Sequence, residues 1–219
     1  MMEPSQYILE FPVLQSHSTD DFVVGHCNKV AAGFIHTWPD WPSHALLLVG
    51  EEGSGKTHLA KIWQEKTDAL ELVPEDIDGL NSPVVWKNIL IENAQNFKNQ
   101  EGLFHLYNQV AANKGWLLMT ATSTPKNWGI ALKDLQSRLN SVPVAHLSGP
   151  DEKILAATMA KQFSDRQILV DDAVIEYLLK RMERSFPEVK RIVGHVDTLS
   201  LREKARVTIP LARKVLEGR

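Results

Sequence analysis

The chain has 219 residues, of which 43% are hydrophobic and 23% charged, as is typical of a soluble protein with one large domain or a domain and a smaller partner. Its 24 basic and 27 acidic residues give a formal net charge of −3, which argues against nucleic-acid binding over a broad basic surface. A single cysteine excludes an intrachain disulfide, and the apolar runs are too short to span a bilayer, so we expect a cytoplasmic protein without a membrane span.

Residues 1–20 form a leader in which Pro, Ser, His and Asp are mixed without hydrophobic periodicity. This composition predicts a flexible segment, and the lack of a basic stretch followed by a long apolar run argues against a signal peptide. Within the leader, residues 6–11 read QYILEF. Because Tyr7, Leu9 and Phe11 occupy alternate positions, an edge strand that packs its own apolar side chains is one interpretation of this segment.

The segment from Phe22 to about Trp38 favours a helix, because apolar residues including Ala31 and Ile35 recur there at helical spacing. The two prolines of WPDWPS, residues 38–43, then end the pattern.

Five short apolar runs follow. They alternate with helical segments, one that begins at Lys56 and another at residues 100–113. We expect strands at residues 45–49, 69–73, 88–92, 115–121 and 142–147. The fifth is predicted at a sheet edge, because Pro143 cannot donate a backbone hydrogen bond. Strands alternating with helices predict the α/β class, with a parallel five-stranded sheet flanked by helices.

The pattern changes after residues 148–151, where four amphipathic segments follow without strand signals. Ser148 or Asp151 is predicted to cap the first of these helices and Asp171 the second. We therefore expect three parts: a leader at 1–20, an α/β domain at 21–149 and a small all-helical domain at 150–219.

The most specific motif is Gly50-x-x-x-x-Gly55-Lys56-Thr57, which follows a predicted strand and opens a predicted helix. Gly53 and Gly55 allow the backbone to aim several N–H groups at phosphate oxygens, and the helix adds the positive end of its dipole. Lys56 would neutralise β- and γ-phosphate oxygens, and the Thr57 hydroxyl can bind Mg²⁺. The motif predicts a nucleotide site.

Phosphoryl transfer also needs a carboxylate at the end of a neighbouring strand to hold Mg²⁺. Glu92 closes the apolar run at 88–92 and supplies one, although an acid that merely ends a strand is the alternative interpretation. The next residue is Asn93, which cannot accept a proton. We therefore expect a magnesium site with a weakened hydrolytic centre.

Four segments, taken together and in this order, resemble the DnaA/Hda-type AAA+ family. DDFVVGHCNKVAAGF at 20–34 is similar to the segment that precedes the phosphate loop, and GSGKTHLAKIW at 53–63 is similar to the loop itself. LLMTATSTPKNWGIALKDLQSRL at 117–139 resembles the first sensor strand and the segment with the arginine finger. VTIPLARKVL at 207–216 resembles the end of the lid.

This resemblance implies a P-loop AAA+ core with a helical lid, and ADP or ATP with Mg²⁺ as ligands. The residues implied to contact the nucleotide are Phe22, Val23 and Val24 at the adenine, and Gly53, Ser54, Gly55, Lys56, Thr57 and His58 around the phosphates. Those implied for the metal and the chemistry are Thr57 and Glu92 at Mg²⁺, Thr120 or Thr122 as the polar first sensor, and Arg138 as a finger that reaches a neighbouring protomer. Without the resemblance, Arg138 would be interpreted as a helix-surface charge.

Two features depart from the family pattern. Extending the register of LLKRMERSFPEVKRIVGHVD, residues 178–197, without gaps places Pro187 where the second-sensor Arg is expected, and Arg184, Lys190 or Arg191 remain as possible substitutes. Together with Asn93, this departure predicts weak or no intrinsic ATPase activity. No segment matches the family's helix-turn-helix domain, so we expect no direct sequence-specific DNA binding.

The resemblance also suggests partners. Residues 6–11, through Gln6, Leu9 and Phe11, resemble the short peptide with which bacterial replication proteins dock on the DNA polymerase sliding clamp, which is the second interpretation of the leader. The implied function is regulation of replication initiation, in which the chain docks on the clamp and stimulates ATP hydrolysis by the DnaA initiator. An adaptor or helicase-loader-like protein that binds a partner ATPase without stimulating it is the alternative, a motor ATPase is a distant third, and a homodimer is possible.

Overall fold

The computed structural model describes residues 22–73 and 87–218, which form a parallel sheet with helices on both faces, followed by four further helices. The strands are β1 (Ala45–Gly50), β2 (Leu70–Leu72), β3 (Asn88–Ile91), β4 (Trp116–Ala121) and β5 (Val144–Leu147). The helices are α1 (Lys29–Thr37), α2 (Lys56–Thr67), α3 (Gln100–Ala112), α4 (Lys133–Asn140), α5 (Glu152–Asp165), α6 (Asp172–Leu179), α7 (Phe186–Glu203) and α8 (Ile209–Glu217).

The five strands lie in the order β2-β3-β4-β1-β5, and every pair is parallel. β1 is an interior strand between β4 and β5, and all six of its residues are buried, as expected of an apolar run covered by helices on both faces. Its side chains alternate between two cores: Leu47 and Val49 pack on one face of the sheet, and Leu46 and Leu48 on the other. This position places the residues that follow β1 at the carboxyl edge of the sheet, between the ends of β4 and β5.

The helices α5 to α8 enclose a third core of their own, which includes Phe163, Leu178 and Ile192. The Asp151 carboxylate accepts a hydrogen bond from the Ile154 backbone N–H at 2.9 Å and so caps α5. Of the two predicted caps, Ser148 and Asp151, the structure therefore shows Asp151.

Two local predictions hold only in part. Asp171 occupies the N-cap position of α6, but its side chain makes no capping hydrogen bond. The first helix begins at Lys29 rather than Phe22, because the buried Asn28 side chain holds the preceding residues in a turn. It accepts from the Gly25 N–H at 2.8 Å and donates to the Val23 carbonyl at 3.0 Å, which competes with helical pairing.

The predicted fold class is confirmed, with five parallel strands, helices on both faces and a C-terminal helical region. The edge position of the fifth strand is also confirmed, and β2, at the other edge, is only three residues long. Among the helices of residues 22–73 and 87–218, none is both long and apolar enough to cross a membrane.

Candidate phosphate-binding site

The phosphate loop connects the carboxyl end of β1 to the first turn of α2. Gly53 and Gly55 adopt φ angles of +74° and +95°, which side-chain-bearing residues rarely tolerate. A Cβ atom at Gly50 would lie 2.5 Å from the Leu147 carbonyl oxygen, so a larger residue cannot approach β5 this closely. Glycine is therefore required at Gly53 and Gly55 by their positive φ angles, and at Gly50 by the close contact with β5.

The Lys56 side chain is enclosed by the loop it follows and is only 7% exposed. Its Nζ donates to the carbonyl oxygens of Gly50 and Glu51 at 2.7 and 2.8 Å. Burial lowers the pKa of this ammonium, and the negative charges of Glu92 and Glu52 oppose that effect. An ammonium has three N–H donors, so one remains for a ligand in the loop.

Glu92, Thr57 and Thr120 come together from three elements next to the loop. The Thr57 hydroxyl donates to Glu92 Oε2 at 2.8 Å, and the Thr120 hydroxyl approaches the same oxygen at 3.4 Å. The Asn93 backbone N–H donates to Thr120 Oγ1 at 3.0 Å, which fixes the turn that carries Glu92. Thr122 is exposed, and its backbone N–H instead donates to Gln95 Oε1 at 3.4 Å. Of the two threonines considered for the first sensor, Thr120 is the one beside Glu92.

The segment before α1 lies against the other side of the loop helix. The Phe22 ring packs edge-on against the His58 imidazole, with centroids 5.3 Å apart at an angle of 73°. Val23 and Val24 are half-buried beside it. A Cβ atom at Gly25 would lie 2.7 Å from Ile154 Cδ1, so this segment also contacts the start of α5. The predicted adenine residues thus lie between α2 and the C-terminal helices.

The first turn of α7 packs directly on the phosphate loop. A Cβ atom placed on Gly53 would lie 3.2 Å from Ser185 Cβ and 3.6 Å from Pro187 Cδ. One placed on Gly55 would lie 3.5 Å from the Phe186 ring. Sequence reasoning did not identify Ser185 or Phe186, and no local signal marks them, because the contact joins residues about 130 positions apart in the chain.

The three candidates to replace a second-sensor Arg are not equivalent. Arg191 donates two hydrogen bonds to the Glu188 carboxylate, at 2.7 and 2.8 Å, and this pairing raises the pKa of its guanidinium. Arg184 lies 3.4 Å from a carboxylate oxygen of Glu152 in α5. Lys190 is exposed. Pro187, by contrast, lies next to Gly53 of the loop, together with Ser185.

Arg138 lies at the other end of the sheet, exposed on the last turn of α4. Burial is the main cause of the lowered pKa of His44, and the charge of Arg138 acts in the same direction, so the two residues are near each other. His44 precedes β1, whereas the phosphate loop follows it. Because a six-residue strand is about 20 Å long, Arg138 cannot reach its own phosphate loop.

Arg138 makes no side-chain hydrogen bond or ion pair with residues 22–73 or 87–218. Its guanidinium is therefore available to a second molecule. Gln6, Leu9 and Phe11 lie outside the described residues, so the structure does not test the predicted clamp peptide.

Comparison with known proteins agrees with this geometry. Residues 151–216 match the family model described as Hda, lid domain. The DnaA initiators of Lactobacillus helveticus and Lactobacillus acidophilus are each 22% identical over 239 aligned positions, which cover 96% of this chain. Domain III of Thermotoga maritima DnaA has the same fold, with a TM-score of 0.78 at 18% identity over 91% of this chain and 95% of that one. Together, these likenesses support a DnaA/Hda-type AAA+ protein.

The AAA+ fold extends to less similar structures. AMPPCP-bound DnaA from Aquifex aeolicus gives a TM-score of 0.70 at 16% identity, covering 83% of this chain and 65% of that one. The RuvB branch-migration motor of Thermotoga maritima gives 0.64 at 20% identity, covering 80% and 61%. The chain spans about half the length, 52%, of the curated DnaA relatives it matches.

Proposed function

We propose that this DnaA/Hda-type protein binds an adenine nucleotide and stimulates ATP hydrolysis by the DnaA initiator, as a regulator of replication initiation of the Hda kind. One observation carries the proposal. The chain has a complete phosphate loop, yet Arg138 is exposed at the opposite end of the sheet, where it can act only on another molecule.

The nucleotide would be held by groups that the structure brings together around the loop. Backbone N–H groups between Gly50 and Thr57 and the one free donor of Lys56 suit phosphate oxygens. Phe22, Val23 and Val24 would form the adenine pocket between α2 and the lid helices, with the Phe22 ring packed against His58 of the loop helix.

The hard oxygen donors of Thr57 and Glu92, 2.8 Å apart, fit a magnesium ion. When bound, Mg²⁺ would neutralise charge on the β- and γ-phosphates. Thr57 and Glu92 would hold the ion, and Thr120 would keep the Glu92 carboxylate in place.

Turnover of the chain's own nucleotide is expected to be slow. Asn93 stands where a proton acceptor would activate water, and it uses its backbone N–H to bond Thr120. Phe186 and Pro187 of the lid lie next to the loop, and neither side chain carries a charge. The bound nucleotide would therefore chiefly stabilise the arrangement of core and lid.

Stimulation in trans would use the charge of Arg138. An arginine supplied by a neighbouring protomer stabilises the negative charge that develops during phosphoryl transfer. A head-to-tail arrangement would also allow two copies of this chain to pair, with Arg138 of one at the nucleotide of the other. The clamp would then serve as the docking platform, bound by Gln6, Leu9 and Phe11 of the leader.

The deciding experiment mixes the full-length chain with ATP-loaded DnaA, sliding clamp and DNA, and measures phosphate release. The proposal predicts faster hydrolysis than DnaA, clamp and DNA give without the chain. If the chain binds DnaA without changing the rate, the adaptor function replaces the proposed one. If the chain hydrolyses ATP rapidly without DnaA, it is a motor ATPase and the proposal is wrong.

Clamp docking is tested by pull-down on immobilised clamp. The triple variant Gln6→Ala, Leu9→Ala, Phe11→Ala should lose binding, because it removes the amide and both apolar side chains that would enter the clamp pocket. The matched control changes Ser5, Tyr7 and Glu10 to alanine in the same segment and should retain most of the binding. Equal capture of the wild-type chain and the triple variant would remove the leader from the proposed function.

A further inference from the structure

The four lid helices, α5 to α8, run alternately away from the phosphate loop and back toward it. α5 starts beside Gly25 and α7 starts beside Gly53, so both helices begin at the end of the lid that faces the loop. The connector between α6 and α7 returns to this end, because its Arg184 lies 3.4 Å from Glu152 at the start of α5. The other two connectors of the lid therefore lie together at the opposite end.

This opposite end, here called the far end of the lid, consists of the connectors at 166–171 and 204–208 and the helix turns beside them. Arg166 at the end of α5 lies 3.7 Å from the Asp197 carboxylate, and this ion pair ties the ends of α5 and α7 together. α7 has 18 residues and is therefore about 27 Å long, which separates the far end from the phosphate loop. The far end is thus distinct from the proposed nucleotide site.

An apolar groove and two exposed leucines mark the far end. The groove lies between the end of α5 and the start of α6, has a volume of about 410 Å³ and is lined by Phe163, Ile168 and Ile175 among others. Leu169 at its rim is 95% exposed, and Leu201 on the last turn of α7 is 72% exposed. A groove beside exposed leucines is typical of an interaction surface.

The far end also carries two groups of opposite charge. Asp171 and Asp172 are exposed at the start of α6, beside the groove, and Arg202, Lys204 and Arg206 are exposed around the end of α7. Within residues 22–73 and 87–218, none of these five side chains forms a hydrogen bond or an ion pair. The neighbouring charges are instead paired with each other: Lys161 with Asp165, Arg166 with Asp197, and Lys214 with Glu203.

These features complement one another across a two-fold axis. In a symmetric dimer each surface patch can face a different patch of the second copy, so an acidic groove and a basic corner with a leucine can pair twice. The opposite charges would orient the two copies, and burial of the leucines would supply affinity. A nucleic acid fits the far end less well, because Asp171 and Asp172 would repel its phosphates and it has no aliphatic side chain for the groove.

We propose that the far end of the lid is a self-association surface through which two copies of this chain form a two-fold symmetric dimer. Leu201 of each copy enters the groove of the other, and the basic residues of one copy lie against Asp171 and Asp172 of the other. Each phosphate loop lies at the opposite end of its lid, so the contact leaves both nucleotide sites uncovered. This dimer differs from a head-to-tail pair because it requires no nucleotide.

The interface is confined to two connectors, so we expect a dissociation constant in the micromolar range that rises as salt is added. Leu201→Ser should weaken the dimer by about 100-fold, because two-fold symmetry removes each leucine contact twice. Val30→Ser is the matched control. Val30 is 62% exposed on α1 of the α/β domain, and its replacement should leave the dimer unchanged.

The test measures the association of the nucleotide-free, full-length chain by sedimentation equilibrium at two salt concentrations. Two charge-reversed variants are compared with wild type: Asp171→Lys with Asp172→Lys, and Arg202→Glu with Arg206→Glu. Each variant alone should be monomeric, because like charges face each other across the two-fold axis. An equimolar mixture should restore the dimer, since opposite charges then meet at both contacts, and this restoration also shows that both variants are folded.

The inference is supported if Leu201→Ser and both charge-reversed variants lose the dimer and the mixture regains it. It is overturned if the wild-type chain is monomeric or assembles beyond the dimer, if any of these variants keeps the wild-type affinity, or if the mixture stays monomeric. A monomeric chain whose Leu201→Ser variant binds DnaA or the clamp less tightly would assign the surface to that partner instead, which also overturns the inference. Stimulation of DnaA does not depend on this surface, so either result leaves the proposed function to its own test.

Discussion

Replacing Arg138 with alanine is expected to abolish the stimulation of DnaA by this chain, while the variant chain still binds nucleotide. An arginine finger supplied in trans accelerates hydrolysis by about 10³–10⁵-fold, so its loss should return DnaA close to its unstimulated rate. Nucleotide binding should persist, because Arg138 lies at the end of the sheet remote from the phosphate loop. The measurement is phosphate release from ATP-loaded DnaA at saturating concentrations of the chain.

The matched control for this variant is Lys133→Ala. Lys133 is the first residue of α4, is exposed and carries the same charge as Arg138 on the same helix. It should leave stimulation nearly unchanged, since a general electrostatic effect of a surface cation is small. Full stimulation by Arg138→Ala, with normal clamp binding, would exclude the finger role.

Replacing Lys56 with methionine is expected to weaken nucleotide binding by about 100-fold. The variant keeps the aliphatic stem but removes a charge-assisted hydrogen bond to phosphate, worth about 2–3 kcal/mol. Lys56 is the one cation of the loop sequence from Gly50 to Thr57, which also contains Glu51 and Glu52. No other residue of the loop can therefore replace its positive charge. Calorimetry with ADP and ATP measures the loss directly.

Folding of this variant needs a separate check, because Lys56 Nζ satisfies the carbonyls of Gly50 and Glu51. Thermal unfolding without nucleotide reports stability, and the upward shift on adding nucleotide reports binding. Lys66→Met, on the last turn of the same helix, should keep that shift. Wild-type affinity in a folded Lys56→Met chain would mean that the loop does not hold the nucleotide phosphates.

The strand pattern was predictable because it depends on local composition. Five apolar runs flanked by polar segments indicated five strands, and the Pro143 argument placed the fifth at an edge, as observed. The boundaries were less predictable. Asn28 ends the turn before α1 through its side chain, and a helical spacing of apolar residues does not reveal that bond.

The phosphate loop was also predictable in detail, since its conformation depends on where glycines stand. Gly53 and Gly55 have the positive φ angles that their position in the motif requires. The roles assigned to the site residues remain predictions. The structure establishes only where the residues lie, such as Thr120 beside Glu92 and Thr122 away from it.

By itself, then, the sequence determined the α/β class, the loop and the residue types available to it, because these depend on periodicity and on the backbone freedom of individual residues. The tertiary structure decided which distant residues meet. Thr57 and Glu92, 35 positions apart, share a hydrogen bond, and Ser185 of the lid lies against Gly53. The tertiary structure also places Arg138 and Lys56 apart by about the length of β1. Such distances follow from how strands and helices pack, and no local pattern contains them.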